Sequence, residues 1–146
     1  VEITEDLPID RDGRAGRVLA ALRERGIRIA VDDFGSGYSR LSDLCRLPID
    51  EIKFDEEFVG AVLSDPKVAA VVRSVTALAG ELGVTTVGEG VRNSETARRL
   101  LEFGCDIGQG DHFGPPLRAA EVPGFLGRSP AAGRMPAPDL PRTVAP

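Results

Sequence analysis

One pattern recurs three times in this 146-residue chain and constrains its fold more than any other feature. An amphipathic helix is followed by a glycine, then by a short β-rich run that ends in polar residues. The apolar period predicts helices over Ala15–Arg25, Lys67–Leu82 and Ser94–Phe103, stopped by Gly26, Gly83 and Gly104. Glycine just past the last turn suits the left-handed cap, where a Cβ would clash. The runs that follow, Ile27–Val31, Val84–Val87 and Cys105–Ile107, read as strands. Glu51–Phe54, after a short helix at Leu41–Arg46, makes a fourth strand, and Val1–Thr4 a fifth. The middle helix is the best marked. Asp65 can cap it, Pro66 fits its first position, and Val68, Val71, Val72, Val75, Leu78, Ala79 and Leu82 form an apolar stripe. Strands alternating with helices predict a parallel sheet with right-handed crossovers.

The folded part is expected to span Val1–Leu126. The stretch 127–146 holds five of the eleven prolines and no apolar period, and reads as a Pro/Ala-rich disordered tail. With 18 basic and 23 acidic residues the formal charge is −5, which argues against a nucleic-acid backbone binder. No apolar run approaches the ~18 residues of a membrane span, and no signal sequence opens the chain. One histidine, His112, rules out a His-rich zinc site. Cys45 and Cys105, without CxxC spacing, read as reduced thiols of a cytosolic protein.

The strand ends carry the chemistry, because function in parallel α/β folds collects there. They read Glu2, Asp32–Asp33, Lys53 with Asp55, Glu89, and Gln109. Side chains alternate along a strand. Ile27, Ile29 and Val31 therefore share one face and Asp32 lies on the other. Lys53 and Asp55 share a face opposite Ile52 and Phe54. Carboxylates gathered in one site repel one another, and a divalent cation resolves that, since hard oxygen ligands suit Mg²⁺ or Mn²⁺. Taken singly, each residue has a plainer reading. An acidic pair is usually a solvated cap, a lone lysine a surface group, and a carboxylate between two glycines a turn residue. Their joint placement at successive strand ends favours a site.

The run Val31-Asp-Asp-Phe-Gly-Ser-Gly-Tyr-Ser-Arg-Leu41 resembles the DDFG loop of the EAL domain, the cyclic di-GMP phosphodiesterase family. Glu2-Ile-Thr-Glu5, Ile52-Lys-Phe-Asp55, Gly88-Glu-Gly-Val91, and Gly108-Gln-Gly110 with Gly114-Pro-Pro116 resemble further motifs of that family, in order, over about Val1–Phe125. The resemblance implies a (β/α)₈-type barrel, of which this chain would be the C-terminal half with about five parallel strands. It implies hydrolysis of cyclic di-GMP to linear pGpG with Mg²⁺ or Mn²⁺. Glu2, Asp32 and Asp33 would hold metal. Lys53 would orient the attacking water, supported by Asp55, with Glu89 and Gln109 beside it. Glu5 would brace the loop of Phe34, Gly35, Ser36 and Gly37. A homodimer through the domain is part of the same expectation, as is a cytoplasmic location, with or without a sensor or membrane domain upstream.

Two residues depart from the family pattern: Arg92 stands where a second Glu is usual, and Asp111 where an aromatic is usual. No EAL tripeptide occurs, the chain opens on Val1, and a barrel of this type needs ~250 residues. The expectation is therefore a fragment whose remaining ligands lie upstream, inactive by itself, with activity residing in the complete domain. The alternative is a non-catalytic remnant that binds nucleotide or a partner protein. An unrelated barrel acting on an enolate through Lys and Mg²⁺ fits the DDFGSGYS loop less well. A receiver domain does not fit Asp32 and Lys53 lying 21 positions apart.

Overall fold

The computed structural model describes residues 1–4, 13–35 and 47–127. Glu5, Ser36, Gly37, Cys45, the expected helix at Leu41–Arg46 and the tail from 128 lie outside the described residues. The elements run β1 (Glu2–Thr4), α1 (Arg14–Glu24), β2 (Ala30–Phe34), β3 (Glu51–Phe54), α2 (Glu56–Ala61), α3 (Pro66–Leu82), β4 (Thr85–Gly88), α4 (Ser94–Glu102), β5 (Ile107–Gly108) and α5 (Val122–Leu126). The five strands form one sheet in the order β1-β2-β3-β4-β5, and every neighbouring pair is parallel. This is the α/β architecture expected from the alternation.

The recurring helix–glycine–strand pattern has one physical basis. Ile27, Val84 and Cys105 each donate their amide back to the last turn of the preceding helix, to Leu22, Ala79 and Leu100 at 3.1, 2.9 and 3.0 Å. The glycine before each is left-handed, with φ of 78°, 69° and 88°. The same closing motif therefore ends α1, α3 and α4. It also moves the strands. An amide spent on the helix cannot join a ladder, so β2 begins at Ala30 rather than Ile27, β4 at Thr85 and β5 at Ile107.

Two elements were not expected. α2 starts on Asp55, whose carboxylate accepts from the Glu57 and Phe58 amides at 2.8 and 3.4 Å. An Asp followed by two acidic residues is a recognisable helix start, but read as a strand end it hides the helix. α5 is a single short turn near the end of the described chain.

The core lies between the sheet and the helices. Phe54, Ile29, Val59, Val72 and Val91 are fully buried, with Ile52 and Leu100 beside them. The ladder puts Ile3, Val31 and Ile52 in lateral register on this face. On α3 the buried side chains are Ala69, Val72, Val75, Thr76 and Ala79, while Val71 and Leu82 are exposed. The apolar stripe is thus wider than the face the sheet covers.

Acidic side chains pin the strand starts. Asp50 accepts the Ile29 amide at 2.9 Å and pairs with Arg23 at 3.2 Å. Asp106 accepts both the amide and the hydroxyl of Thr86 at 2.8 and 2.9 Å. Each fixes one strand to the entry of the next at the end of the sheet away from the strand-end carboxylates.

Candidate active site

The side chains at the sheet's C-terminal edge converge on Lys53. Its ammonium donates to Glu89 Oε1 at 2.7 Å, to Asp32 Oδ1 at 2.9 Å and to Glu2 Oε1 at 2.9 Å. The Lys53 side chain is only 11% exposed. Burial alone would push its pKa down. The hydrogen bonds it donates to Glu89, Asp32 and Glu2 outweigh that and hold it above the ordinary lysine range. Lys53 is therefore a fixed positive charge at neutral pH.

A break in the sheet positions the acidic pair. Val31 lies opposite Ile52 and Phe34 opposite Phe54, so Asp32 and Asp33 together face the single residue Lys53. This two-against-one step is a β-bulge. Asp33 takes the left-handed conformation, φ 57°, which costs about 1 kcal/mol for a residue other than glycine. Simple alternation would have sent the Asp33 carboxylate to the core face with Val31. The bulge turns it toward Asp32 instead. Phe34 then anchors the strand end: it is buried, and its ring meets Phe54 edge to face at 6.0 Å. Gly35, φ 106°, lies under the Phe58 ring, where a Cβ would stand 2.7 Å from Cγ.

Oxygens of Asp32, Asp33 and Glu89 all lie within 4.8 Å of one another. Two oxygens bound to one hard cation are separated by up to about 5 Å, given ligand distances of about 2.0–2.6 Å. The donor set, three carboxylates gathered within 4.8 Å, suits a hard divalent cation. Glu2, half-exposed at the edge of the sheet, reaches Lys53 from the other side and is not in that triplet.

The other expected residues are placed as follows. Asp55 closes the strand and caps α2, so its carboxylate holds the helix start beside Lys53. Gln109 enters through its backbone. Its amide donates to Gly88 O and its carbonyl accepts from Val91 N, both at 2.9 Å, and its side chain is exposed. Glu89 itself donates its amide to Phe54 O at 3.1 Å, tying its loop to β3. Arg92 pairs with Glu56 of α2. Sequence reasoning missed this pair because its partners are 36 positions apart.

No helix among the described residues is long and apolar enough to cross a membrane.

The family model for the EAL domain matches residues 1–116. A curated relative, cyclic di-GMP phosphodiesterase RocR of Pseudomonas aeruginosa, is 44% identical over 116 residues, covering 80% of this chain and 30% of RocR. The EAL domain of Mycobacterium smegmatis DcpA superposes with TM-score 0.78 at 38% identity, covering 92% of this chain and 59% of that one. Klebsiella pneumoniae BlrP1, solved as a manganese/cyclic di-GMP complex, superposes with TM-score 0.69 at 39% identity, over 75% of this chain and 28% of that one. The chain thus spans under a third of RocR's length and less than two thirds of either solved chain. The matched span holds the whole Lys53 cluster, and the chain belongs to the EAL domain family.

Proposed function

We propose that this domain hydrolyses one phosphodiester of cyclic di-GMP, giving linear pGpG with the help of Mg²⁺ or Mn²⁺. The observation that carries the reading is the Lys53 ammonium held by Glu89, Asp32 and Glu2 beside the Asp32–Asp33–Glu89 oxygen cluster. The manganese/cyclic di-GMP complex of BlrP1 supports the substrate class and the type of cation.

A bound divalent cation would neutralise phosphate charge and make a water more acidic at neutral pH. Asp32 and Asp33, with Glu2 or Glu89, would hold it. In the hydrolysis a water oxygen forms the new P–O bond as the bond to the ribose 3′-oxygen breaks, and that oxygen takes up a proton from solvent. Lys53 cannot take the proton, since it is already protonated. Its part is to orient the attacking water and to offset negative charge as the phosphorus gains a fifth oxygen. The Glu89 carboxylate, fixed by Lys53, is the acceptor within the cluster. Asp55 acts by holding α2 against the lysine, and Gln109 by stitching the Glu89 loop to β5. A buried free thiol, Cys105, accords with a reducing, cytoplasmic setting. Pairing of two copies belongs to the same proposal, supported by the exposed Val71 and Leu82 of α3, and is read from the sedimentation coefficient.

One observation favours a second reading, a binding module without turnover: Arg92 adds no carboxylate to the site but turns to Glu56. A single assay separates the two. The domain completed with its upstream residues is incubated with Mn²⁺ and cyclic di-GMP, and pGpG is resolved by chromatography, with binding followed by calorimetry. Metal-dependent pGpG that vanishes in Glu89→Gln and in Lys53→Ala supports hydrolysis. Binding without pGpG supports the module, and neither overturns both.

A further inference from the structure

Two segments, 53–56 and 89–92, are joined by two ion pairs of opposite sense. Lys53 holds Glu89 on the site side. Three residues later on both segments, Glu56 holds Arg92 through Oε1 and Nη2. Between them the Glu56 side chain lies across Gly90, whose φ of 63° brings the chain so close that any Cβ there would fall inside that side chain. The two pairs therefore clamp the short loop that carries Glu89. The pair also has an electrostatic task. Arg92 stands three residues along the chain from Glu89, one of a triplet of clustered carboxylates. A guanidinium free to move would be drawn to that negative charge.

We propose that Glu56 and Arg92 are a positioning pair for Glu89: together they fix the Glu89 loop against β3, and Glu56 keeps the Arg92 guanidinium out of the carboxylate cluster. The second half of this inference rests on reading Asp32, Asp33 and Glu89 as a cation site. The pair is solvent-exposed, with side chains 73% and 52% accessible, so its effect on global stability is small. Its effect falls on the site. The two partners are therefore unequal. Glu56→Gln frees an arginine three residues from Glu89, whereas Arg92→Gln removes the competing charge along with the pair.

The test compares the chain with Glu56→Gln, Arg92→Gln, the double variant and the exchanged pair Glu56→Arg/Arg92→Glu. Calorimetry reads Mn²⁺ affinity, and NMR hydrogen exchange reads the Glu89 and Val91 amides. Glu56→Gln is expected to weaken Mn²⁺ binding about two- to five-fold, the range an exposed charge pair commands. Arg92→Gln and the double variant should match each other and bind more tightly than Glu56→Gln. Amide exchange at Glu89 and Val91 should speed up in every variant that breaks the pair and return toward normal in the exchanged pair. A merely structural contact would give equal losses in both single variants, and that result overturns the electrostatic part. Unchanged exchange in both single variants overturns the positioning part. A parent chain that binds no Mn²⁺ refutes the cation-site reading and the electrostatic part with it, and amide exchange still decides the rest.

Discussion

Replacing Lys53 by Met tests the centre of the site, because it deletes one charge and keeps the buried stem. In the parent chain the ammonium meets Glu89, Asp32 and Glu2 at 2.7, 2.9 and 2.9 Å. Removing one partner of a buried ion pair costs about 3–5 kcal/mol, because the remaining charges stay buried and uncompensated. Here Asp32 and Glu89 are 23% and 19% exposed, while Glu2 is 57% exposed and its share is screened by water. The expected loss is therefore somewhat smaller, about 2–4 kcal/mol. Urea unfolding followed by circular dichroism, with Mn²⁺ excluded, measures it. Adding Mn²⁺ should narrow the gap, since the variant's uncompensated carboxylates bind the cation more tightly, and stabilisation by a ligand of the folded state grows as its Kd falls. The sign of the pH dependence follows from the direction of the lysine's shift. A raised basic pKa contributes stability that is complete below the unfolded value, about 10.4, and is lost as pH rises through the higher folded value. The gap between parent and variant should thus be flat from about pH 6 to about pH 9. A variant within about 0.5 kcal/mol of the parent, or a gap that closes across that range, would refute the argument that Lys53 is the charge that holds these carboxylates together.

Gly90→Ala should destabilise the fold by about 1–3 kcal/mol, since φ is 63° and the new methyl meets Glu56, and the loss should shrink in a Glu56→Ala background, as measured by thermal melts of both. Asp106→Ala removes the acceptor of the Thr86 amide and of its hydroxyl proton and should cost about 1–3 kcal/mol in urea unfolding, with Asp106→Asn recovering part of it. Burial raises the Cys105 thiol pKa against the opposing hydrogen bond to Thr86 O. Its contribution to stability is full below about 8.5 and declines as pH rises above that. In a Cys45→Ser background, alkylation of Cys105 should therefore require unfolding, and rapid labelling of the folded chain at neutral pH would contradict its burial.

Much of the fold is local, and that part is readable from composition and spacing. The glycine caps after α1, α3 and α4, the Asp65–Pro66 start of α3 and the parallel alternation depend on residues within a turn of one another. Strand boundaries are less readable because the closing amides of Ile27, Val84 and Cys105 belong to the helices before them. α2 was missed for a related reason, since Asp55 serves as a cap where it read as a strand end.

Local pattern alone puts Glu2, Asp32, Lys53 and Glu89 at strand ends, and hence at one edge of the sheet. How they meet depends on packing between elements. The bulge that sets Asp32 and Asp33 against one lysine arises from pairing between β2 and β3, which no period within either strand records. The choice of Glu56 as the partner of Arg92 likewise comes from the approach of two loops distant in the chain. Periodicity fixes which face a residue takes on its own element, whereas register between elements is set by long-range packing and decides which charges share a site.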